Sequence, residues 1–241
     1  MSQAWFISGT NRGIGLELVK IAAKAGHIVF AGVRNPSKAT ALKTLAVQHP
    51  ANIHFVQLET TSLSDAVSAA KLVEEVTGGV DVVIANAGIA NNWQKALKID
   101  LNSFNEHYQV NAIGAIIVFQ ALYPLLVKRL TRKFMTVSTI AASIEQTLPF
   151  PVTVYGSSKA ALNYITRSIH KEHSPEGLIV FPIHPGAADT DMGQSAAPLM
   201  GLEKLPMSPF ESADAVYRVV DSATAEQGGQ FLSYDGSELP W

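Results

Sequence analysis

A tyrosine and a lysine four residues apart, in Tyr155-Gly156-Ser157-Ser158-Lys159, are the residues of this chain best suited to moving a proton. On a helix that spacing puts phenol and ammonium on one face. A free phenol has a pKa of about 10, a poor proton relay at neutral pH. A nearby ammonium favours the phenolate and lowers that value. The spacing therefore predicts Tyr155 as a general acid in one direction and a base in the other. Of the six tyrosines only Tyr155 has lysine at that distance.

A second motif lies near the start. The apolar run Ala4-Trp5-Phe6-Ile7 leads into Gly9-Thr10-Asn11-Arg12-Gly13-Ile14-Gly15. A glycine-rich turn between a strand and a helix is built to hold a pyrophosphate at the helix N-terminus. Here Gly9 allows the tight turn, Gly13 lets the backbone approach the phosphates, and Gly15 lets helix and strand pack closely. The spacing is G-x-x-x-G-x-G rather than the commoner G-x-G-x-x-G. With Tyr155 as acid, the two motifs predict a nucleotide-dependent redox site.

The end of the second strand bears on which nucleotide. An acid there accepts a hydrogen bond from a free ribose 2′-hydroxyl and selects NAD. The chain reads Ala31-Gly32-Val33-Arg34-Asn35, with no acid. Arg34 offers a bidentate partner for a 2′-phosphate, and Arg12 is a second cation. NADP(H) is the expected cofactor. Asn86-Ala87-Gly88, after the fourth strand, permits close approach of a flat ligand.

These motifs need a scaffold of alternating strands and helices, and the sequence has that alternation. Apolar or β-branched runs fall at Trp5–Ser8, His27–Gly32, Ile53–Gln57, Val80–Ala85, Phe134–Ser138, Leu178–Ile183 and Gln230–Ser233. Helical patterns fall near 14–25, 37–48, 63–77, 101–129, 154–173 and 211–224. Strands as apolar as Val80-Asp81-Val82-Val83-Ile84-Ala85 are covered on both faces, which implies a parallel sheet. The expected fold class is α/β, a single doubly wound Rossmann-type domain over 1–241. The long connections near 140–153 and 185–209 follow strands at the carboxyl edge, where such sheets bind ligands. Residues 186–210 are expected to form a substrate loop or lid. Trp93, Phe150, Met192, Leu202 and Phe210 suit a bulky or aromatic substrate.

Composition narrows the partners. The chain has 241 residues, 47% hydrophobic, enough for one large core. Its formal net charge of -2, without a basic run, argues against nucleic acid. There is no cysteine, hence no disulfide and no thiolate metal site, and the seven histidines show no metal spacing. The first strand begins close to Met1, which leaves no room for a leader peptide. The most apolar stretch, 112–127, is short for a membrane span and is interrupted by Gln120 and Pro124. The expectation is a cytoplasmic protein with a small-molecule substrate, no metal and no membrane partner.

Taken in order, Gly9-x-x-x-Gly13-Ile14-Gly15, Asn86-Ala87-Gly88, Asn111, Tyr155-x-x-x-Lys159 and Pro185-Gly186 resemble the short-chain dehydrogenase/reductase family across essentially the whole chain. The resemblance implies a seven-stranded parallel sheet, bound NAD(P)H, and hydride transfer at a carbon bearing oxygen. It implies Tyr155 as proton donor, Lys159 as ribose-binding residue, and Asn111 as holder of a relay water. It places Asn86 near the adenine side, and Pro185, Gly186, Ala188 and Thr190 at the nicotinamide. The family's usual serine after the fifth strand aligns with Thr139, with Ser138 and Ser143 as alternatives. Glu59 stands where the family has an Asp near the adenine. In the family the apolar helices near 104–127 and 154–169 pair subunits, so a homodimer or homotetramer is expected.

A narrower resemblance, in Arg34-Asn35-Pro36 and the ending Asp235-Gly236-Ser237-Glu238-Leu239-Pro240-Trp241, is to fungal ketoreductases of the norsolorinic acid type, which act on aromatic polyketides in secondary metabolism. The implied activity is NADPH-dependent reduction of a ketone. The alternatives are non-redox or bifunctional chemistry on the same fold (dehydratase, epimerase, cyclase) and a non-catalytic NADP-binding sensor.

Overall fold

The computed structural model describes residues 2–241. Among these, seven strands form one parallel sheet: β1 (Ala4–Ser8), β2 (Ile28–Val33), β3 (Ile53–Gln57), β4 (Val82–Ala85), β5 (Lys133–Val137), β6 (Ile179–His184) and β7 (Leu232–Ser233). Their order across the sheet is β3-β2-β1-β4-β5-β6-β7. The order reverses between β1 and β4, so the loops after these strands open a crevice at the carboxyl edge. The glycine-rich turn follows β1 and Asn86-Ala87-Gly88 follows β4, which puts both on that crevice.

Helices cover both faces because successive strand residues point to opposite sides. On one face Ile7, Ile84 and Phe181 meet α1 (Gly13–Lys24) and α8 (Pro209–Ser222), through Leu18, Val19, Val216 and Val220. On the other, Phe6, Phe30 and Phe134 meet α3 (Leu63–Thr77), α5 (Gly114–Leu126) and α6 (Thr153–His173), through Val73, Val118, Leu122 and Leu162. The remaining helices are α2 (Thr40–Gln48), α4 (Asn102–Tyr108) and the short α7 (Asp191–Ala196).

The single helix expected over 101–129 is divided. Between α4 and α5 the backbone makes one π turn at Gln109–Ile113, centred on Asn111. Such turns are rare and insert an extra residue into the helix, which re-aims the side chains there. The run 102–126 is apolar and long enough to cross a membrane by composition, but half of its most apolar window is packed inside the protein.

Several histidines are held neutral. His184, the last residue of β6, is pushed down to about 4 by burial against a weaker opposing pull from Asp235. His27 is also lowered, chiefly by burial. Its Nδ1 accepts from Gln3 N (3.2 Å), and its Nε2 lies 3.0 Å from the Tyr217 hydroxyl. An unfolded histidine titrates near 6.5. Below that pH the unfolded chain takes up protons that the fold refuses. The stability is thus complete above pH 6.5 and is lost as pH falls toward 4. His184 alone contributes up to about 3 kcal/mol of this loss. Urea midpoints should therefore fall steadily from pH 7 to pH 4.5, and His184→Asn should flatten that slope; a slope unchanged by the substitution would contradict the assignment.

Candidate active site

The glycine-rich turn is shaped by close approach. Gly9 has φ +69°, in the left-handed region that favours glycine, and a Cβ there would lie 2.9 Å from Cα of Ala87. A Cβ on Gly15 would sit 2.3 Å from the carbonyl oxygen of Gly9 and 2.6 Å from Nδ2 of Asn86. Strand, turn and helix are therefore pressed together where the α1 N–H groups emerge. Asn11 and Arg12 are exposed beside them, and Ile14 is half-buried against the core. Arg12 caps no backbone group; its guanidinium pairs with Asp191 of α7 at 2.5 Å.

Asn86 fastens this turn rather than pointing away from it. Its Nδ2 donates to the carbonyls of Ser8 (2.9 Å) and Gly9 (3.2 Å). The backbone N–H groups of Asn86 and Ala87 both donate to Ser8 Oγ. Both amide hydrogens of Asn86 are thus used within the protein. Arg34, just after β2, is exposed and forms no ion pair among the described residues. Glu59 lies two residues past β3 and is half-buried; its backbone N–H donates to Asp65 Oδ2, and Thr61 is its nearest side-chain partner at 3.5 Å.

The proton-handling residues gather at the same edge. Tyr155 stands in the first turn of α6, and Lys159 one turn later. The Tyr155 ring is half-buried, and Thr139 is the side-chain hydroxyl that acts on its phenol. Burial pushes the phenol up to about 12, and the Thr139 bond pulls against that. Lys159 Nζ donates to the carbonyl of Val137 at 2.7 Å. Burial brings its ammonium down to about 8. Burial thus outweighs the depression of Tyr155 expected from Lys159. Desolvation dominates, and the group drawing the phenol downward is a hydroxyl, not the lysine.

The three candidate hydroxyls are separated by their partners. Ser138 is buried and donates to Asn163 Oδ1 at 2.6 Å. Ser143 Oγ donates to the Trp241 carbonyl (3.3 Å) and accepts from Gln146 N (2.9 Å). Of the three only Thr139 acts on the Tyr155 phenol, which it draws down, and its Oγ1 accepts from Ala141 N at 3.2 Å.

Asn111 sits behind this pair. Its Oδ1 accepts from Ile89 N (2.7 Å), and its Nδ2 donates to Ile89 O and Ser158 Oγ (2.9 Å each). Both amide hydrogens are spent, so a water held at this residue would use a carbonyl oxygen. Gly88 keeps the space open: a Cβ there would lie 3.1 Å from Asn111 Oδ1 and 3.2 Å from Lys159 Nζ.

The loop after β6 closes the remaining side. Pro185 O accepts from Ser212 Oγ at 2.6 Å, and Gly186 has Met207 and Tyr234 directly above its backbone. Ala188 pairs with Met207 in a short parallel bridge. Thr190 caps α7 through Gly193 N, and its methyl lies against Gly13. The segment 186–210 is thereby pinned at both ends and touches the glycine-rich turn through Thr190 and Asp191. Trp93, expected from the sequence among the loop residues that suit a bulky substrate, meets the Tyr155 ring edge-on, centroids 6.0 Å apart. Among the described residues no group of three potential ligands is placed to hold a metal ion.

Comparison with known proteins agrees with this architecture. Residues 3–199 match a family model described as short chain dehydrogenase. An uncharacterised oxidoreductase of Schizosaccharomyces pombe is 37% identical over 250 residues, covering 100% of this chain and 98% of that protein. Norsolorinic acid ketoreductase of Dothistroma septosporum is 36% identical, with coverage of 98% and 92%. Among solved structures, the carbonyl reductase Sniffer of D. melanogaster superposes with a TM-score of 0.91 at 28% identity, over the full length of both chains. NADPH-bound carbonyl reductase from chicken fatty liver gives 0.90 at 29% identity, covering 100% of this chain and 99% of that one. By its motifs, its seven-stranded sheet and its likeness to these relatives along its length, the chain belongs to the short-chain dehydrogenase family.

Proposed function

We propose that the protein is an NADPH-dependent ketoreductase. The observation that carries this reading is Tyr155 set one helical turn before Lys159 on α6, beside the Thr139 hydroxyl that acts on its phenol, at the sheet edge that also holds the glycine-rich turn. The cradle fits a dinucleotide: Gly9, Gly15 and Gly88 leave space that a single Cβ would fill. Gly13, Ile14 and the α1 N-terminus would hold the pyrophosphate, with Asn11 at the rim. Arg34 and Arg12 would take a 2′-phosphate. Lys159 would hold the ribose, with Ala87 and Gly88 beside it. Pro185, Gly186, Ala188 and Thr190 would face the nicotinamide, and Glu59 the adenine side. NADPH, when bound, supplies the hydride.

The chain's own residues then handle the oxygen. Thr139 donates to the carbonyl oxygen and so meets the charge that develops there. Tyr155 gives its proton to that oxygen. With its phenol raised to about 12 by burial, Tyr155 carries its proton at neutral pH and gives it up only as nearby positive charge stabilises the phenolate. Lys159, still mostly charged at pH 7, would favour the phenolate left behind. A water at Asn111 would return the proton. The Trp93 ring beside Tyr155, and the exposed Met192, Leu202 and Phe210 of the closing loop, suit a bulky aromatic or polyketide-like ketone. The similarity to a norsolorinic acid ketoreductase supports that substrate class and a place in secondary metabolism. A cytoplasmic homodimer or homotetramer is the accompanying proposal.

The test is NADPH oxidation against a panel of aromatic and polycyclic ketones, with NADH in parallel. Turnover with NADPH and little with NADH is expected. Arg34→Ala should weaken NADPH binding about tenfold and leave NADH binding unchanged, the loss of one charged hydrogen-bond partner. Equal loss for both nucleotides would remove Arg34 from the 2′-phosphate. Product formed without net NADPH consumption would favour the non-redox reading.

A further inference from the structure

The segment after β7 returns to the active site at a place the mechanism above does not use. Leu239 N donates to Phe231 O at 2.7 Å, and Glu238 bridges antiparallel to Leu232. This folds the segment back and delivers Trp241 to the loop that follows β5. There the Trp241 carbonyl accepts from Ile144 N (3.0 Å), Glu145 N (2.9 Å) and Ser143 Oγ (3.3 Å). Three donors on one acceptor is a built arrangement, and the two N–H groups belong to a loop that lacks regular structure to pair them. The indole is gripped as well. Arg167, on α6 eight residues beyond Lys159, places its guanidinium carbon 4.6 Å from the ring centroid, and Phe231 packs against it at 5.8 Å.

The held loop leads directly to the reacting hydroxyls. Ser143, fixed by Trp241, accepts from Gln146 N and so sets the turn. Between Ser143 and Thr139 lies only the short turn Ile140–Ala142, and within it Ala141 N donates to Thr139 Oγ1. Ala141 also presses on α6, since a Cβ on Gly156 would lie 2.6 Å from its carbonyl oxygen. Gly156 follows Tyr155. The β5–α6 loop therefore carries one hydroxyl of the Thr139–Tyr155 pair and abuts the helix that carries the other.

We propose that Trp241 is a positioning residue: through residues 143–145 and Arg167 it clamps the β5–α6 loop onto α6 and so fixes where Thr139 stands relative to the helix that carries Tyr155. It hydrogen-bonds to neither Thr139 nor Tyr155, and its effect on the chemistry passes through the loop. The catalytic part of this assignment rests on the ketoreductase reading; the clamping part does not.

The experiment uses the full chain and the variants Trp241→Ala, Trp241→Phe and Arg167→Met, with Thr139→Val alone and combined with Trp241→Ala. Amide exchange over residues 140–147 reads the clamp without any substrate. Trp241→Ala should raise exchange there about tenfold or more while the strands of the sheet stay protected, and Trp241→Phe should restore most of the protection. With a ketone turned over by the wild type, Trp241→Ala should lower kcat about 10- to 100-fold and leave the NADPH Kd unchanged, as misplacement of a reacting group does. Combined with Thr139→Val the losses should fall well short of multiplying, because both act on one hydroxyl pair. If Trp241→Ala does not fold, Arg167→Met carries the test with the same signs. Unchanged exchange over 140–147 overturns the clamp. Raised exchange with unchanged kcat, or losses that multiply with Thr139→Val, overturns the link to catalysis. Absence of turnover in the wild type with every ketone would count against the ketoreductase reading, and the exchange result would still decide the clamp.

Discussion

Replacing Tyr155 with phenylalanine is expected to lower kcat for ketone reduction by about 10²–10⁴, the range that a positioned general acid contributes. The substitution removes one oxygen and keeps the ring, so the edge contact with Trp93 and the packing of the first turn of α6 survive. The NADPH Kd should stay within about twofold. A loss confined to kcat marks an interaction made in the transition state, whereas a rise in KM alone marks ordinary binding. Single-turnover decay of NADPH absorbance, alongside a fluorescence titration of NADPH binding, separates the two. Turnover retained in Tyr155→Phe would take the acid role away from this residue. The Tyr155 hydroxyl carries its proton at neutral pH, so removing it removes the proton source outright.

The second large effect concerns Thr139. Thr139→Val keeps the shape and deletes the hydroxyl that draws the Tyr155 phenol down and accepts from Ala141 N. Loss of a preplaced donor to a developing oxyanion costs about 10²–10³ in kcat. Thr139→Ser restores the donor and removes a methyl that restricts rotation, and should keep kcat within about tenfold of wild type. Ser138→Ala is the control. Its hydroxyl is committed to Asn163, so its loss should act on stability rather than on kcat. If Ser138→Ala cost as much kcat as Thr139→Val, the substrate oxygen would not belong to Thr139. The two expectations are linked: Thr139 is the group that opposes the burial of the Tyr155 phenol, so Thr139→Val also makes Tyr155 a weaker acid.

The order of elements is readable because it depends on local pattern. Runs such as Val82–Ala85 are apolar at every position, and a strand covered by helices on both faces needs that. The glycine motif is readable because its spacing is the geometry: only a residue without Cβ fits 2.3 Å from the Gly9 carbonyl. The division of the helix near 101–129 is not readable. Nothing in the periodicity of Gln109–Ile113 announces an extra residue in the turn, and the cause lies in Asn111 reaching across to Ile89 and Ser158. The short helix α7 is hidden for a similar reason: six residues are too few to show a period.

Electrostatics is the least legible part of the site. Spacing places Lys159 on the same helical face as Tyr155, and from that alone the phenol is expected to fall. Burial acts on both groups at once and moves Tyr155 up and Lys159 down. Desolvation depends on what packs around a group from other elements, which helical spacing does not contain.

The sequence by itself determined the α/β class, the strand–turn–helix that forms the nucleotide cradle, and the Tyr155–Lys159 pair, because each depends on residues within a few positions of one another. Only the tertiary structure decided that Ser138 and Ser143 are committed to partners of their own, that Asn86 holds the turn, and that Trp241 returns to the β5–α6 loop. These contacts join residues far apart in the chain, up to Ser143 with Trp241, and their partners are chosen by where the sheet and helices bring the backbone rather than by any local pattern.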